Sequence, residues 1–427
     1  MRLDEFIEGF ERDEGDQKRR LAEEKSYAIT DHLETVERQF DAAIQGDALF
    51  GSDHPQTFAG RAGNTRAATG LLRPAAGDAG PEGDATGCDW YSDGLRIEAV
   101  LPRRTGMLNS TRQTAVDSVQ RGSDTGIAYD VWEGFVGVQR EVAIADHPVD
   151  VEVGLDGKPE LDVDFDDVGT PTGPRATATG ADLAENPHVP KAVEKTLADD
   201  DWQAQGAMTY LYRRGFDVYD INTILSAGAL GRASERSLVP TRWSITAVDD
   251  TVGQYLRGAL RNSNTIDKPE LWYNEYMGNR YWVVLSPGRW EFELVEMKSP
   301  GSVWNPRPEA GYYMSSAHEG YEGRSSYVEE TAGAYYATRL GVLEHLASVG
   351  RQATCLVVRH ATEEYWAPVG VWQIREGIRD AFEGEPAVAE SFHAAVSQLA
   401  PQLPVSLDAL RRKSELVAGV QSQLTDF

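Results

Sequence analysis

The chain has 427 residues, with 68 Asp and Glu against 41 Lys and Arg, a formal net charge of −27 and a pI near 4.7. Hydrophobic residues make up 41%, enough for packed cores in two or three domains, which excludes a disordered chain. Two cysteines far apart, Cys88 and Cys355, exclude a disulfide framework and a four-cysteine zinc site, and they fit a reducing cytoplasm.

No run approaches the ~18 apolar residues of a membrane span. The first 45 residues are charged throughout and carry no apolar signal region. Both features predict a cytoplasmic protein. Of the 41 basic residues 33 are arginine and 8 lysine. Many carboxylates, which hold water and hydrated cations, with few apolar Lys stems make the surface of a protein from molar salt, as in a halophilic archaeon. At about 1 M salt the Debye length is only about 3 Å. Nucleic-acid affinity from counterion release then falls steeply, whereas kosmotropic salt strengthens apolar docking.

Residues 1–45 read as amphipathic helix, with Leu21, Ile29, Leu33, Val36, Phe40 and Ile44 in steps of three and four. Gly46–Gly87 reads as loop, Ala75–Gly87 as a flexible excursion within it. Arg61, Arg66 and Arg73 sit among its glycines, and a plain loop is favoured there over an anion-binding one. Arg96–Leu101, Ala128–Phe135, Val138–Ala145 and Val149–Val153 are short and β-leaning. Lys158–Val168 alternates acid and apolar residues; without a D-x-D-x-D-G frame and closing Glu it reads as acidic surface rather than a calcium loop. Pro187–Ala198 and Trp202–Arg214 read as helices.

Gly228–Arg261 carries Arg232, Arg236, Arg242, Arg257 and Arg261 in a strongly acidic chain. Arginines can grip phosphates bidentately, so these five are candidate phosphate or DNA contacts; internal pairing with carboxylates is the alternative. Asp249 and Asp250 are placed to cap a helix over Thr251–Arg261. Arg280–Leu285 and Trp290–Met297 flank Pro287-Gly288 and read as a hairpin, with Trp290, Phe292 and Leu294 on an apolar face and Glu291, Glu293 and Val295 on a mostly wet one. Proline-rich Ser299–Glu309 is the best domain boundary. Beyond it come a helix over 326–348 ended by Gly350, a buried strand over Ala353–Arg359, and helices near 371–382, 387–399 and 406–418. The fold class expected is α+β: a large mixed N-terminal domain over 1–300 (helical 1–45, mixed β/α 90–300), a smaller α-rich C-terminal domain over 305–418, and a free peptide over 421–427.

The signatures of a P-loop, a dinucleotide fold and H-E-x-x-H are missing, so no cofactor or metal is implied. His318, His345 and His360 have no metal partners in the sequence pattern. Glu296-Met297-Lys298 is an E-x-K at a strand end, with Asp249, Asp250 and Glu293 upstream. Metal-dependent nucleases place an acid and a lysine this way, which keeps nuclease activity as an alternative, beside RNA or nucleotide handling.

The last residues read Q-x-x-L-x-x-F. One tight turn puts Leu424 and Phe427 on one side, with Gln421 a turn earlier. The pattern resembles the PIP box that binds the sliding clamp (PCNA), although a second aromatic is missing. G-R-A-S-E-R-S-L-V-P-T-R-W-S-I-T-A-V-D-D (Gly231–Asp250), E-Y-M-G-N-R-Y (Glu275–Tyr281) and S-P-G-R-W-E-F-E (Ser286–Glu293) resemble the Nre family of archaeal DNA-repair proteins, most like its NreA branch. The resemblance implies a role in DNA-damage repair and clamp binding through Gln421, Leu424 and Phe427, and it implies no catalytic residue. The four-cysteine zinc motif of some members has no counterpart before Cys88.

Overall fold

The computed structural model describes residues 48–53, 57–59, 66–74, 88–105, 107–115, 132, 134–160, 173, 175–302 and 304–422. The helix expected over 1–45 and the excursion at 75–87 lie outside them. The described residues form an α+β fold in two compact units, one up to Val252 and one from Gly253 onward. Among them no helix is long and apolar enough to cross a membrane.

In the first unit the chain runs β1 (Ala48–Asp53), β2 (Thr57–Ala59), β3 (Arg66–Pro74), α1 (Cys88–Ser92), α2 (Ile97–Thr105), β4 (Met107–Ala115), α3 (Gly134–Ala143), β5 (Val149–Glu160), β6 (Arg175–Leu183), α4 (Lys191–Ala198), α5 (Ala204–Arg213), α6 (Val218–Ser226) and the start of α7 (Thr241–Leu260), whose residues from Gly253 on belong to the second unit. One six-stranded sheet has the order β1-β5-β6-β4-β3-β2. Its core follows from strict alternation in β5: Val149, Val151, Val153 and Leu155 are buried between exposed Asp150 and Glu152. Antiparallel β6 faces them with Ala176, Ala178 and Ala181, and Phe135 and Val142 of α3 complete the cluster.

Several expectations change here. The stretch from 48 to 74 holds three strands rather than loop, β3 pairing with β4 over nine residues from Arg66↔Ala115 to Pro74↔Met107. Most of these residues are small or polar, so alternation gives no signal. The segments at 96–101 and 138–145 are largely helical. Phe135, Gln139 and Val142 recur at helical spacing and are buried, so packing overrides the β preference of the valines. Helix α7 begins just after Pro240 and runs for 20 residues, so Asp249 and Asp250 lie mid-helix and cap nothing.

The second unit continues with β7 (Glu270–Tyr276), β8 (Asn279–Ser286), β9 (Glu291–Lys298), β10 (Tyr313–Glu319), α8 (Ala332–Val349), β11 (Thr354–Ala361), α9 (Trp372–Ala381), β12 (Ala387–Val388), α10 (Phe392–Leu399), α11 (Leu407–Lys413) and α12 (Glu415–Ser422). The sheet order is β10-β9-β11-β8-β7-β12. The expected β8–β9 hairpin therefore does not form. Strand β11 lies between the two, antiparallel to β8 (Val357↔Val283) and parallel to β9 (Val357↔Leu294). The linking turn crosses over the start of β11: Thr354 Oγ1 donates to the Arg289 carbonyl at 3.1 Å, and a Cβ on Gly288 would collide with that hydroxyl. The near-continuous apolar run Cys355-Leu356-Val357-Val358 suits a central strand covered on both faces. The true hairpin is β7–β8, turned by Met277 (φ 49°) and Gly278 (φ 70°), both positive as a type I′ turn requires. The proline-rich segment at 299–309 is a connection within this sheet, between β9 and its neighbour β10.

The face of β9 expected to be wet is covered. Val295 and Met297 pack with Trp282, Val284, Leu356, Val358 and residues of α10, α11 and α12.

Candidate functional site

The five arginines have different fates. Arg236 is 1% exposed; its Nε donates to the Gly231 carbonyl at 2.9 Å and its Nη2 to that of Leu197 at 2.7 Å. A guanidinium held this way braces the loop and presents no face to solvent. Arg232 is exposed, 3.5 Å from Glu235 across a single 3₁₀ turn. Arg242 is exposed on the first turn of α7 beside Trp243, which is 56% exposed. These three belong to the first unit. In the second, Arg257 is half-buried, and Arg261 pairs with Glu322 at 2.7 Å with its guanidinium over the Tyr321 ring. Arg242 is a candidate already in the sequence; exposed Trp243 beside it is not, because no helix start is expected there.

The E-x-K residues meet in the second unit. Glu296 is 4% exposed, and register places it beside Arg359 of β11. Arg359 Nη1 donates to Glu296 Oε1, and its Nε and Nη2 reach Asn279 Oδ1 at 3.1 and 2.7 Å. Lys298 Nζ stands 3.8 Å from Glu296 Oε2 and 5.5 Å from the Tyr313 ring centroid. Burial works most strongly against the Arg359 charge, but Glu296 together with the Tyr281 and Tyr365 hydroxyls outweighs it, so the pKa rises. Burial also pushes up the Tyr281 hydroxyl, which donates to Gln373 Oε1 at 2.8 Å. Both oxygens of Glu296 thus face cations of the protein itself, and the group reads chemically as a buried ion pair. Asp249 and Asp250 belong to the other unit.

Glu293 has a different task. It projects toward the C-terminal helices and accepts from Ser414 Oγ (2.6 Å), Glu415 N (2.8 Å) and Leu416 N (3.0 Å). A carboxylate at a helix start satisfies orphan N–H groups and meets the positive end of the dipole. Burial raises the Glu293 pKa against these hydrogen bonds. This contact anchors α12, whose backbone ends at Gln421 and Ser422. Leu424 and Phe427, and the side chain of Gln421, lie outside the described residues.

Two of the three motifs behind the family resemblance fall where chain segments approach closely. Glu275–Tyr281 contains the β7–β8 turn, where the Gly278 carbonyl accepts from Thr362 N at 2.9 Å and a Cβ on Gly278 would lie 2.5 Å from Tyr365 N. Ser286–Glu293 is the crossing over β11.

The family description Archaeal Nre, N-terminal, matches residues 21–305, and Archaeal Nre, C-terminal, matches residues 319–427. The chain belongs to the archaeal Nre family. It is 60% identical over 429 residues to the DNA repair protein NreA of Haloferax volcanii, covering 100% of both chains. Two Archaeoglobus fulgidus proteins are also similar: DNA repair protein NreA, 39% identical over 70% of this chain and 73% of that one, and DNA repair protein NreB, 36% identical over 68% and 74%. No solved structure matches this Nre chain.

Proposed function

We propose that this Nre protein is a DNA-repair factor held at its site of action by the sliding clamp (PCNA), through Gln421, Leu424 and Phe427. The observation that carries the reading is the terminal Q-x-x-L-x-x-F in a chain whose relatives are named DNA repair proteins. Burying Leu424 and Phe427 contributes roughly 3–6 kcal/mol gross, and ordering the peptide offsets much of it. A second contact then sets the useful affinity by effective concentration. Arg232 and Arg242 supply phosphate contacts for it, and exposed Trp243 supplies a ring on which an unpaired base stacks. Arg236 braces its own loop instead.

The test is a clamp-binding titration in molar KCl. Removing residues 421–427 should abolish binding, and Phe427→Ala should weaken it tenfold or more, the equivalent of about 1.5–3 kcal/mol for a buried Phe. Unchanged binding in both would overturn the reading.

A further inference from the structure

The loop after α3 and the loop before α4 meet at one end of the β5–β6 pair. Antiparallel pairing dictates this: Val151 lies opposite Leu183, Ala184 N donates to the Asp150 carbonyl at 2.8 Å, and Asp146 N donates to the His188 carbonyl at 3.2 Å. Residues 42 apart are thereby brought together. His147 Nδ1 lies 2.8 Å from Asp146 Oδ1. His188 Nδ1 lies 2.8 Å from the same oxygen and 2.9 Å from Oδ2. The imidazole centroids are 5.7 Å apart with the planes inclined at 49°, and one donor atom from each of the three residues falls within 4.8 Å of the others.

We infer that Asp146, His147 and His188 form a binding site for a first-row divalent transition-metal ion. Two imidazoles and a carboxylate suit such ions better than magnesium or calcium, which favour all-oxygen shells. A tetrahedral ion with bonds of about 2.0–2.1 Å sets its donors about 3.3 Å apart, so small side-chain rotations open the cluster enough to receive one. The backbone is prepared for it: Pro148 follows His147, and Pro187 and Pro190 bracket His188, which restricts both loops before the ion arrives. The histidine side chains are 74% and 73% exposed, so three protein ligands leave the remaining coordination positions to water or to an exogenous anion. The bound ion joins the α3–β5 connection to the β6–α4 connection. Without it, two exposed histidines sharing one carboxylate form only a weak, salt-screened contact.

The experiment is a Co²⁺ titration of the full chain, followed by visible absorption, in molar KCl with millimolar Mg²⁺ to occupy unspecific carboxylates. One equivalent should bind with d–d bands. His147→Ala and His188→Ala should each weaken it at least tenfold, and Zn²⁺ should displace it. Because these side chains are exposed, the variants should match the parent in far-UV circular dichroism and in metal-free thermal midpoint, while added Zn²⁺ raises the midpoint of the parent alone. Uptake of no ion, or equal uptake by parent and variants, would overturn the site.

Discussion

The sheet of the first unit packs Val149, Val151, Val153 and Leu155 against Ala176 and Ala178, all aliphatic. The sheet of the second packs its apolar rows around ionised groups: Glu296 with Arg359, and Glu319 with Arg339 (3.1 Å), both carboxylates and both guanidiniums nearly inaccessible. Trp290 Nε1 adds a donor to Glu319 Oε1 at 2.9 Å. A valine tolerates any apolar neighbour of the right volume, whereas a buried carboxylate tolerates only the arrangement that supplies its donors. The second sheet is therefore the one whose strand order is enforced by specific pairs. Arg359 finds Glu296 on one side and Asn279 on the other only if β11 sits between β9 and β8.

Breaking that pairing should have the largest effect. Arg359→Ala leaves Glu296 buried against Lys298 alone and should cost about 3–5 kcal/mol in denaturant unfolding. The double variant Glu296→Leu/Arg359→Met should recover most of that stability, since an apolar pair needs no donors, while losing the pair that fixes β11 between β9 and β8; an amide-exchange pattern over 354–361 unchanged from the parent would mean that the ion pair does not enforce the strand order. A smaller loss is expected from Glu293→Ala, which removes the acceptor for three donors at the start of α12: about 1–3 kcal/mol, read as faster amide exchange across 415–422.

A third effect is one of pH. His345, stacked on Phe382 at 3.9 Å, is held neutral by burial, its pKa lowered from 6.5 to about 4. His360 is lowered to about 4 as well, chiefly by burial. An unfolded histidine takes up its proton near pH 6.5, while these do so only near pH 4. Their contribution is complete above pH 6.5 and is lost as pH falls toward 4. Glu293, whose pKa is raised, acts in the opposite sense, so the informative quantity is the difference between parent and His345→Phe. The unfolding midpoint of the variant should fall less between pH 7 and 4.5, and parallel curves would refute the assignment.

The same contrast explains what could be read from the chain. The aliphatic run of β11, helix α8 with its end at Gly350, and the β-leaning run Val149–Val153 of β5 are one-dimensional patterns and are legible in the sequence. The position of β11 between β8 and β9 was not, because Pro287-Gly288 signals a turn and says nothing of whether another strand passes beneath it. Glu293 has the charge of a wet position, but the partners that bury it lie about 120 residues downstream at Ser414–Leu416. Arg236 misled in the same way, its acceptors being main-chain carbonyls that no side-chain pattern reveals. Asp146, His147 and His188 carried only a faint signal, histidines next to prolines in two separate loops.

The anchoring of α12 to Glu293 fixes how long a leash the terminal peptide has. Leu424 follows Ser422 by two residues and Phe427 by five, so fully extended chain places them no more than about 7 Å and about 18 Å from the last helical residue. A partner gripping those side chains cannot trail the second unit at a distance. Under the proposed reading, that span bounds how far from the end of α12 the partner can stand.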